Sequence, residues 1–444
     1  MPATSETYHD PDPGVTQPGL ERPPLRTKAR STPRIGRGVP RMVLALLFPL
    51  GTHMALKNQR RVTFDPFGRI IMQTLLLTFI GILALCALLT FYTWARPNGA
   101  EIDPELGVEV VPIVADGEHN SNTDMISWRD GFLLVHAASP WHMGSTNSRI
   151  LVKFSKDALR WETLAELQAP GFDIRDPKII EIGDELFLYA LPNEGRMATP
   201  IGTVLSTSQD GRNWTPFSPV GPPGWLFWRP KTLDGQTWYV AAYWKDHGKS
   251  ILLRSSDGRH WEEVAVIHEG DGNDETAIEF LPDGRMIVTA RLEVTPDTLL
   301  GNDDAGTLVG VAKPPYTEWK TTKTPITRLD GPVLFPYQGE VFAVARWQPP
   351  PHGGLWKLGG VWSRKRTGLY RIEPDRIVYL SDLPSAGDTA YAGVVQKDGM
   401  LFIEYYTSRI DRDYPWLLAM ILPTDLYLAR LPLESLNDVS AAHP

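Results

Sequence analysis

The sequence predicts an all-β chain, a six-bladed β-propeller preceded by a single transmembrane helix. Three observations carry that prediction. The composition is aromatic and turn-rich, with Trp 15, Tyr 14 and Phe 15 beside Gly 38 and Pro 39, which favours many short strands over long helices. A hairpin pattern of polar head, short strand, Gly turn and second strand recurs from residue 107 onward. Taking Asp124, Asp176, Arg229, Glu275, Asp330 and Asp388 as markers, the spacings are 52, 53, 46, 55 and 58. Periods near 50 with about four strands each mean propeller blades. The third observation is a run of 26 residues, 70–95, without a charge.

In chain order, residues 1–69 hold eleven Lys/Arg against five Asp/Glu and are rich in Pro, Arg, Thr and Gly. They carry too few large apolar side chains to offset the entropy of ordering, so a disordered cytoplasmic tail is expected. The apolar patch Met42–Leu50 is too short to cross a bilayer and is interrupted by Pro49 and Gly51. Residues 70–95 read as the membrane helix, with Phe91, Tyr92 and Trp94 as its aromatic belt. Lys57, Arg60, Arg61 and Arg69 crowd one side, and Glu101, Asp103 and Glu105 follow on the other. The positive-inside bias then places the N-terminus in the cytoplasm and the rest outside it. A cleaved signal is disfavoured because 69 residues precede the run. Residues 96–106 read as a linker, 107–435 as the propeller and 436–444 as a C-terminal tail.

Within the propeller a second repeat runs out of phase with the first. SKDALRW (Ser155–Trp161), SQDGRNW (Ser208–Trp214) and SSDGRHW (Ser255–Trp261) share Ser-x-Asp and a terminal Trp. The Asp of such a turn can accept backbone N–H bonds across the bend while the Trp packs between blades. These are expected to be structural staples without chemistry. The segment GVEVVPIV (107–114) is the natural strand to close the ring against 426–431, which would remove free sheet edges.

The charge distribution limits partners. After residue 69 there are 33 Lys/Arg against 47 Asp/Glu, so the body is acidic and nucleic acid is not an expected partner. The single cysteine, Cys86, lies inside the apolar run, which excludes disulfides and cysteine-ligated metals. No HExxH, Walker loop, GxGxxG after a strand or Gly-x-Ser-x-Gly occurs. The ten histidines are scattered, and no metal or cofactor is expected.

In a propeller the innermost strands converge on the axis, so the residues heading each repeat should share one shallow cup. The heads are His119, Asn120 and Asp124; Arg175 and Asp176; Arg229; Glu275; Asp330; and Asp388, with Tyr391 close behind. Arg291 and Arg346 end the second strands of two repeats, and hairpin geometry brings Glu275 to Arg291. One reading of that pair is a solvated cross-strand ion pair worth under about 1 kcal/mol. Its recurrence across repeats instead suggests desolvated acids beside arginines, the condition for splitting carboxyl pKa values in glycoside hydrolysis. Aromatics nearby, Trp228 among them, would either stack on sugar rings or pack the core.

From about 107 to 432 the chain resembles the bacterial sialidase-like six-bladed propellers. The three short turns resemble their Asp-box turns in a form one residue shorter. The resemblance implies an activating Glu at Glu275, a Tyr nucleophile at Tyr391 in GDTAYAGVV, and carboxylate-binding arginines at Arg291 and Arg346. A tyrosinate nucleophile suits an anionic sugar because a carboxylate would be repelled by it. The family's early Arg-Ile-Pro is absent, replaced by HNSNTDM, and the loop SPWHMGSTNS lacks the acid/base Asp. Asp124, Arg175-Asp176-Pro177 and Glu275 are also similar, in order, to the base, modulating Asp and acid of five-bladed furanosidases. The implied function is a membrane-anchored exo-glycosidase acting on cell-envelope or extracellular carbohydrate. The alternative is a non-catalytic propeller binding glycan or protein.

Overall fold

The computed structural model describes residues 66–293, 306–324, 328–348, 363–413 and 415–443. Residues 1–65 of the basic tail, the Met42–Leu50 patch among them, lie outside the described residues, while 66–69 belong to the helix that follows. An α-helix runs from Pro66 to Ala95, and its stretch Phe67–Leu89 is long and apolar enough to cross a membrane.

The described strands from 109 to 432 form six antiparallel sheets, five of them with their main strands in sequence order from the inside outward and the last completed on its outside by the first strand, Glu109–Val114. The first sheet comprises His119–Trp128, Gly131–Ser139, Arg149–Ser155 and Glu162–Leu167. Second strands such as Gly131–Ser139 and Met286–Leu292 are buried at every residue, which is why their sequences run apolar without alternation. Outer strands such as Glu162–Leu167 meet water and carry charges instead. The ring closes as the sequence suggests: Glu109–Val114 pairs antiparallel with Asp425–Pro432, matching Val110 to Ala429 and Val111 to Leu428. Without that strand the last sheet would end in an open edge.

The Asp turns are staples. Asp210 Oδ1 accepts the N–H groups of Arg212 and Asn213, each at 2.8 Å, and Trp214 Nε1 donates to Gly211 O at 2.9 Å. Asp157 and Asp257 repeat the arrangement. Trp261 then lies edge-on to Tyr189 of the preceding sheet, whose hydroxyl donates to Gly258 O at 2.6 Å. A fourth turn with the same spacing, Thr232 to Trp238, sits in an inner hairpin, with Asp234 accepting from Gln236 and Thr237.

Residues 98–106 lie along the sixth and fifth sheets. Asn98 Nδ2 donates to Ser385 O and Ile410 O, and the Glu101 N–H to Asp382 Oδ2. Beyond the last strand, Ser435–Ala442 is a helix that buries Leu436 and Val439 beside Leu106.

One irregularity, repeated in every sheet, positions the site. The innermost strand carries one residue more than its partner near its start. Asp274 pairs with Arg291 but Ala277 with Thr289, and Asp330 with Arg346 but Val333 with Val344. The same slip falls between Ser121 and Thr123, Arg175 and Lys178, and Ala390 and Gly393. In the third sheet Phe227 pairs with Ala242 and Lys231 with Tyr239, so four steps answer three. A β-bulge re-aims the side chain of its extra residue. Pro177, Pro230 and Pro332 follow immediately in three sheets, where an interrupted ladder needs no N–H donor.

Candidate active site

The bulges define six equivalent positions around the axis: Asn122, Asp176, Arg229, Glu275, Gly331 and Tyr391. Asn122, Asp176, Glu275, Gly331 and Tyr391 have positive φ, from 28° at Glu275 to 62° at Gly331. Side chains disfavour that conformation, so a ring of such residues marks strain concentrated at one place. Four of these positions, Asn122, Asp176, Glu275 and Tyr391, carry functional side chains, the fifth, Gly331, offers its backbone N–H, and Arg229 alone lacks the positive φ.

Glu275 and Tyr391 meet here. The Tyr391 hydroxyl donates to Glu275 Oε1 at 2.5 Å, and the Gly331 N–H donates to Oε2 at 2.7 Å. Arg291 Nη1 lies 3.1 Å from the same Oε2 and 3.3 Å from Asp330 Oδ1, while its Nε donates to Asp274 Oδ1 at 2.7 Å. The expected meeting of Glu275 and Arg291 is thus present, but buried rather than solvated, and the residue directly opposite Arg291 is Asp274. Burial pushes the Glu275 carboxyl up to about 7, outweighing the pull of Arg291, and the carboxylates of Asp274 and Asp330 add to the rise. Burial and the Glu275 charge hold the Tyr391 phenol well above its ordinary value, against Arg346 and Arg291. The resting phenol is therefore protonated, and its proton already points at a carboxylate able to accept it.

Arg346 ties this pair to the neighbouring sheets. Its Nε donates to Asp330 Oδ2 at 3.0 Å, its Nη1 to Asp388 Oδ1 at 3.2 Å, and its guanidinium stands 5.4 Å from the Tyr391 ring centroid. Asp388 is fully buried, its Oδ1 under donors from Arg346, Tyr406 and Trp416, and its Oδ2 faced by His142 Nδ1 at 2.6 Å and His119 Nε2 at 3.2 Å. Arg328 approaches Asp330 at 3.1 Å and Glu293 at 2.8 Å. Asp176 is half-buried at the basin, where its charge reaches Tyr391 and its Oδ1 accepts from Asn122 Nδ2 at 2.5 Å.

Other expected site residues are committed to the frame. Arg229 pairs with Asp124 and donates to the carbonyls of Thr123, at 3.2 Å, and Ala392, at 2.6 Å, linking the third sheet to the first and sixth. Asp124 also accepts the N–H groups of Met125 and Ile179, both at 3.0 Å, so it joins sheets rather than facing the basin as a free base. Arg175 holds the loop after the first hairpin through His142 O and Met143 O, and pairs with Asp173. Asn120 donates to Asp116 and Thr424 O beneath the ring closure. Trp228 is 1 % exposed, so no sugar can stack on it. Its ring lies between Tyr391, Tyr243 and the Lys178 ammonium, 4.5 Å from the ring centroid.

Sequence reasoning missed Asn122, Asp274, Lys178 and the Gly331 N–H. The signal lay in the residues before the prolines: aligning Asp176-Pro177, Arg229-Pro230 and Gly331-Pro332 puts Glu275, Tyr391 and Asn122 in the same column. His119 and His142, far apart in sequence from Asp388, also converge on it.

No family model matches this chain, and no curated protein does. Solved structures do. A Dyadobacter fermentans protein of unknown function is 15% identical over 73% of this chain and 99% of its own, with a TM-score of 0.53. The Trypanosoma rangeli sialidase is 13% identical over 76% of this chain and 61% of its own, at 0.55. The phage phi92 endosialidase is 10% identical over 73% and 69%, at 0.54. This chain thus spans about three-fifths of the trypanosomal enzyme's length. The likeness at these identities is one of fold: a six-bladed propeller of the sialidase type.

Proposed function

We propose that the axial basin hydrolyses a glycosidic bond, with Tyr391 as nucleophile and Glu275 as the base that activates it. The observation that carries this reading is the buried Tyr391–Glu275 hydrogen bond of 2.5 Å, made by two residues 116 apart. A protonated phenol is a weak nucleophile, and a positioned carboxylate is what it needs. Arg291 stabilises the ionised form of Glu275 without closing its second oxygen to the Gly331 N–H. Asp176, the half-buried carboxylate beside them, takes the acid/base role on the leaving-group oxygen. The helix Pro66–Ala95 anchors the propeller to a membrane with its N-terminus cytoplasmic, so the substrate is glycan of the cell envelope or its surroundings. Release of aryl leaving groups from a panel that includes sialosides and pentofuranosides tests the reading, with Glu275→Gln as the control that must lose turnover.

A second reading has its own support. Arg175, Arg229, Arg291, Arg328 and Arg346 are each paired with a carboxylate of the protein, so no guanidinium among them stands ready for a substrate carboxylate. That favours a propeller that binds glycan or protein without turnover. Such a binder would keep its affinity in Glu275→Gln and release nothing from any glycoside of the panel.

A further inference from the structure

We propose that His119, His142 and Asp388 hold one divalent transition-metal ion, a site independent of the glycosidase reading. His119 Nδ1 lies 2.9 Å from Leu422 O, which can only accept, so Nδ1 carries the hydrogen. The ring is fully buried, and its Nε2 faces Asp388 Oδ2 at 3.2 Å without an aligned hydrogen bond. With the hydrogen on Nδ1, Nε2 and the carboxylate oxygen face each other as two lone-pair donors, a pair that a cation between them satisfies.

His142 Nδ1 reaches the same oxygen at 2.6 Å, so two imidazoles converge on one carboxylate atom. Their ring centroids are 5.7 Å apart with planes at 87°, compatible with two ligands of one ion. The other carboxylate oxygen is fixed by Trp416 Nε1 at 2.8 Å, Tyr406 Oη at 3.2 Å and Arg346 Nη1 at 3.2 Å, leaving Oδ2 for the metal. Backbone-anchored histidine and hydrogen-bonded carboxylate are the outer supports that metal ligands use. Two imidazoles and a carboxylate suit Zn²⁺ or a neighbouring first-row ion with a solvent ligand in the open position. His142, with 26% of its side chain exposed, is the side by which the ion enters. Arg346 and Arg175 stand close, but Asp330 and Asp173 already offset them. A second cluster, His247, Asp274 and Glu293, lacks this feature because Arg291 occupies both oxygens of Asp274.

The test uses the untagged, detergent-solubilised full chain, stripped with a chelator and then offered ZnCl2 alone. After gel filtration the wild type should retain about one zinc per chain, and Co²⁺ in its place should give the d–d absorption of a low-coordinate site. Affinity should fall on the order of 100-fold in His142→Ala and about 10-fold in Tyr406→Phe. His260→Ala, at a solvent-exposed turn, should change nothing. The proposal is overturned if the stripped wild type retains no zinc and gives no cobalt spectrum, or if His142→Ala retains zinc as the wild type does. The wild-type cobalt spectrum decides even if a variant fails to fold.

Discussion

The Tyr391 hydroxyl and the Glu275 carboxylate are joined by a 2.5 Å hydrogen bond between sheets that are not neighbours in sequence, and both residues sit on β-bulges at positive φ. Neither would face the other in a regular strand. The bulge in each innermost strand turns the pair inward, and Gly331, at the bulge between them, closes the geometry with its N–H.

On the proposed mechanism, Tyr391→Phe removes the nucleophile and Glu275→Gln its base. A base of this kind contributes about 10²- to 10⁴-fold, so kcat should drop by that order in Glu275→Gln while the fold survives. Because the Glu275 carboxyl is pushed up to about 7, wild-type kcat should rise with pH through that value. Initial rates on a released aryl glycoside between pH 5 and 9 measure this, and a flat profile would remove Glu275 from the role of base.

The same shift has a consequence for stability. Glu275 has a folded pKa raised above its unfolded value of about 4.5, so the protonated form favours the fold. That contribution is complete below about 4.5 and is lost as pH rises through about 7. The stability of the wild type relative to Glu275→Gln should therefore decline across this window, by at most about 1.4 kcal/mol per pH unit, and level off above it. Urea unfolding of both proteins at pH 5, 6, 7 and 8 gives the comparison.

The period near 50, the closing strand and the Asp turns were all legible in the sequence, because each depends on local pattern. The site was legible only in part. Asp176, Arg229 and Glu275 fall at the bulge position, but Asp124 lies two residues after it, Asp330 one before and Asp388 three before. Marking a repeat by its nearest charge therefore mixed basin residues with residues that tie sheets together. What separates them is a one-residue slip in hydrogen-bond register, which composition does not reveal except where a proline follows. The convergence of His119 and His142 on Asp388 was equally invisible, since it depends on the ring bringing the first and last sheets side by side.

Arg229 is expected to matter for the frame. It is 5% exposed, pairs with the buried Asp124 and joins three sheets through Thr123 O and Ala392 O. Arg229→Ala strands a buried carboxylate and two carbonyls, for a loss of about 3–5 kcal/mol. Adding Asp124→Asn should recover part of it, because the charge left behind is then gone. Urea midpoints of the wild type, both single variants and the double variant form the cycle. Additive losses would mean that the two residues do not act as a pair.

Lys178 gives the opposite expectation. Its ammonium is fully buried over the Trp228 ring and has no hydrogen-bond partner, although Asp176, Asp124 and Glu275 act on it from a distance. Burial is the largest influence, followed by the Arg229 charge, and together they bring the amine down to about 8 from 10.5. A depressed folded pKa means stability present above about 10.5 and lost as pH falls through about 8, so at neutral pH the fold carries the full cost of the buried charge. That cost is about 3 kcal/mol, against which the contact with Trp228 returns about 1–2 kcal/mol. Lys178→Met keeps the volume and removes both effects, so it should be more stable than the wild type by about 1 kcal/mol at pH 7, with the advantage gone by pH 10.5. Urea unfolding at the two pH values reads the difference. If Lys178→Met is instead less stable at pH 7, the acids at the axis outweigh desolvation, and Lys178 belongs with Arg229 among the residues that hold the ring together.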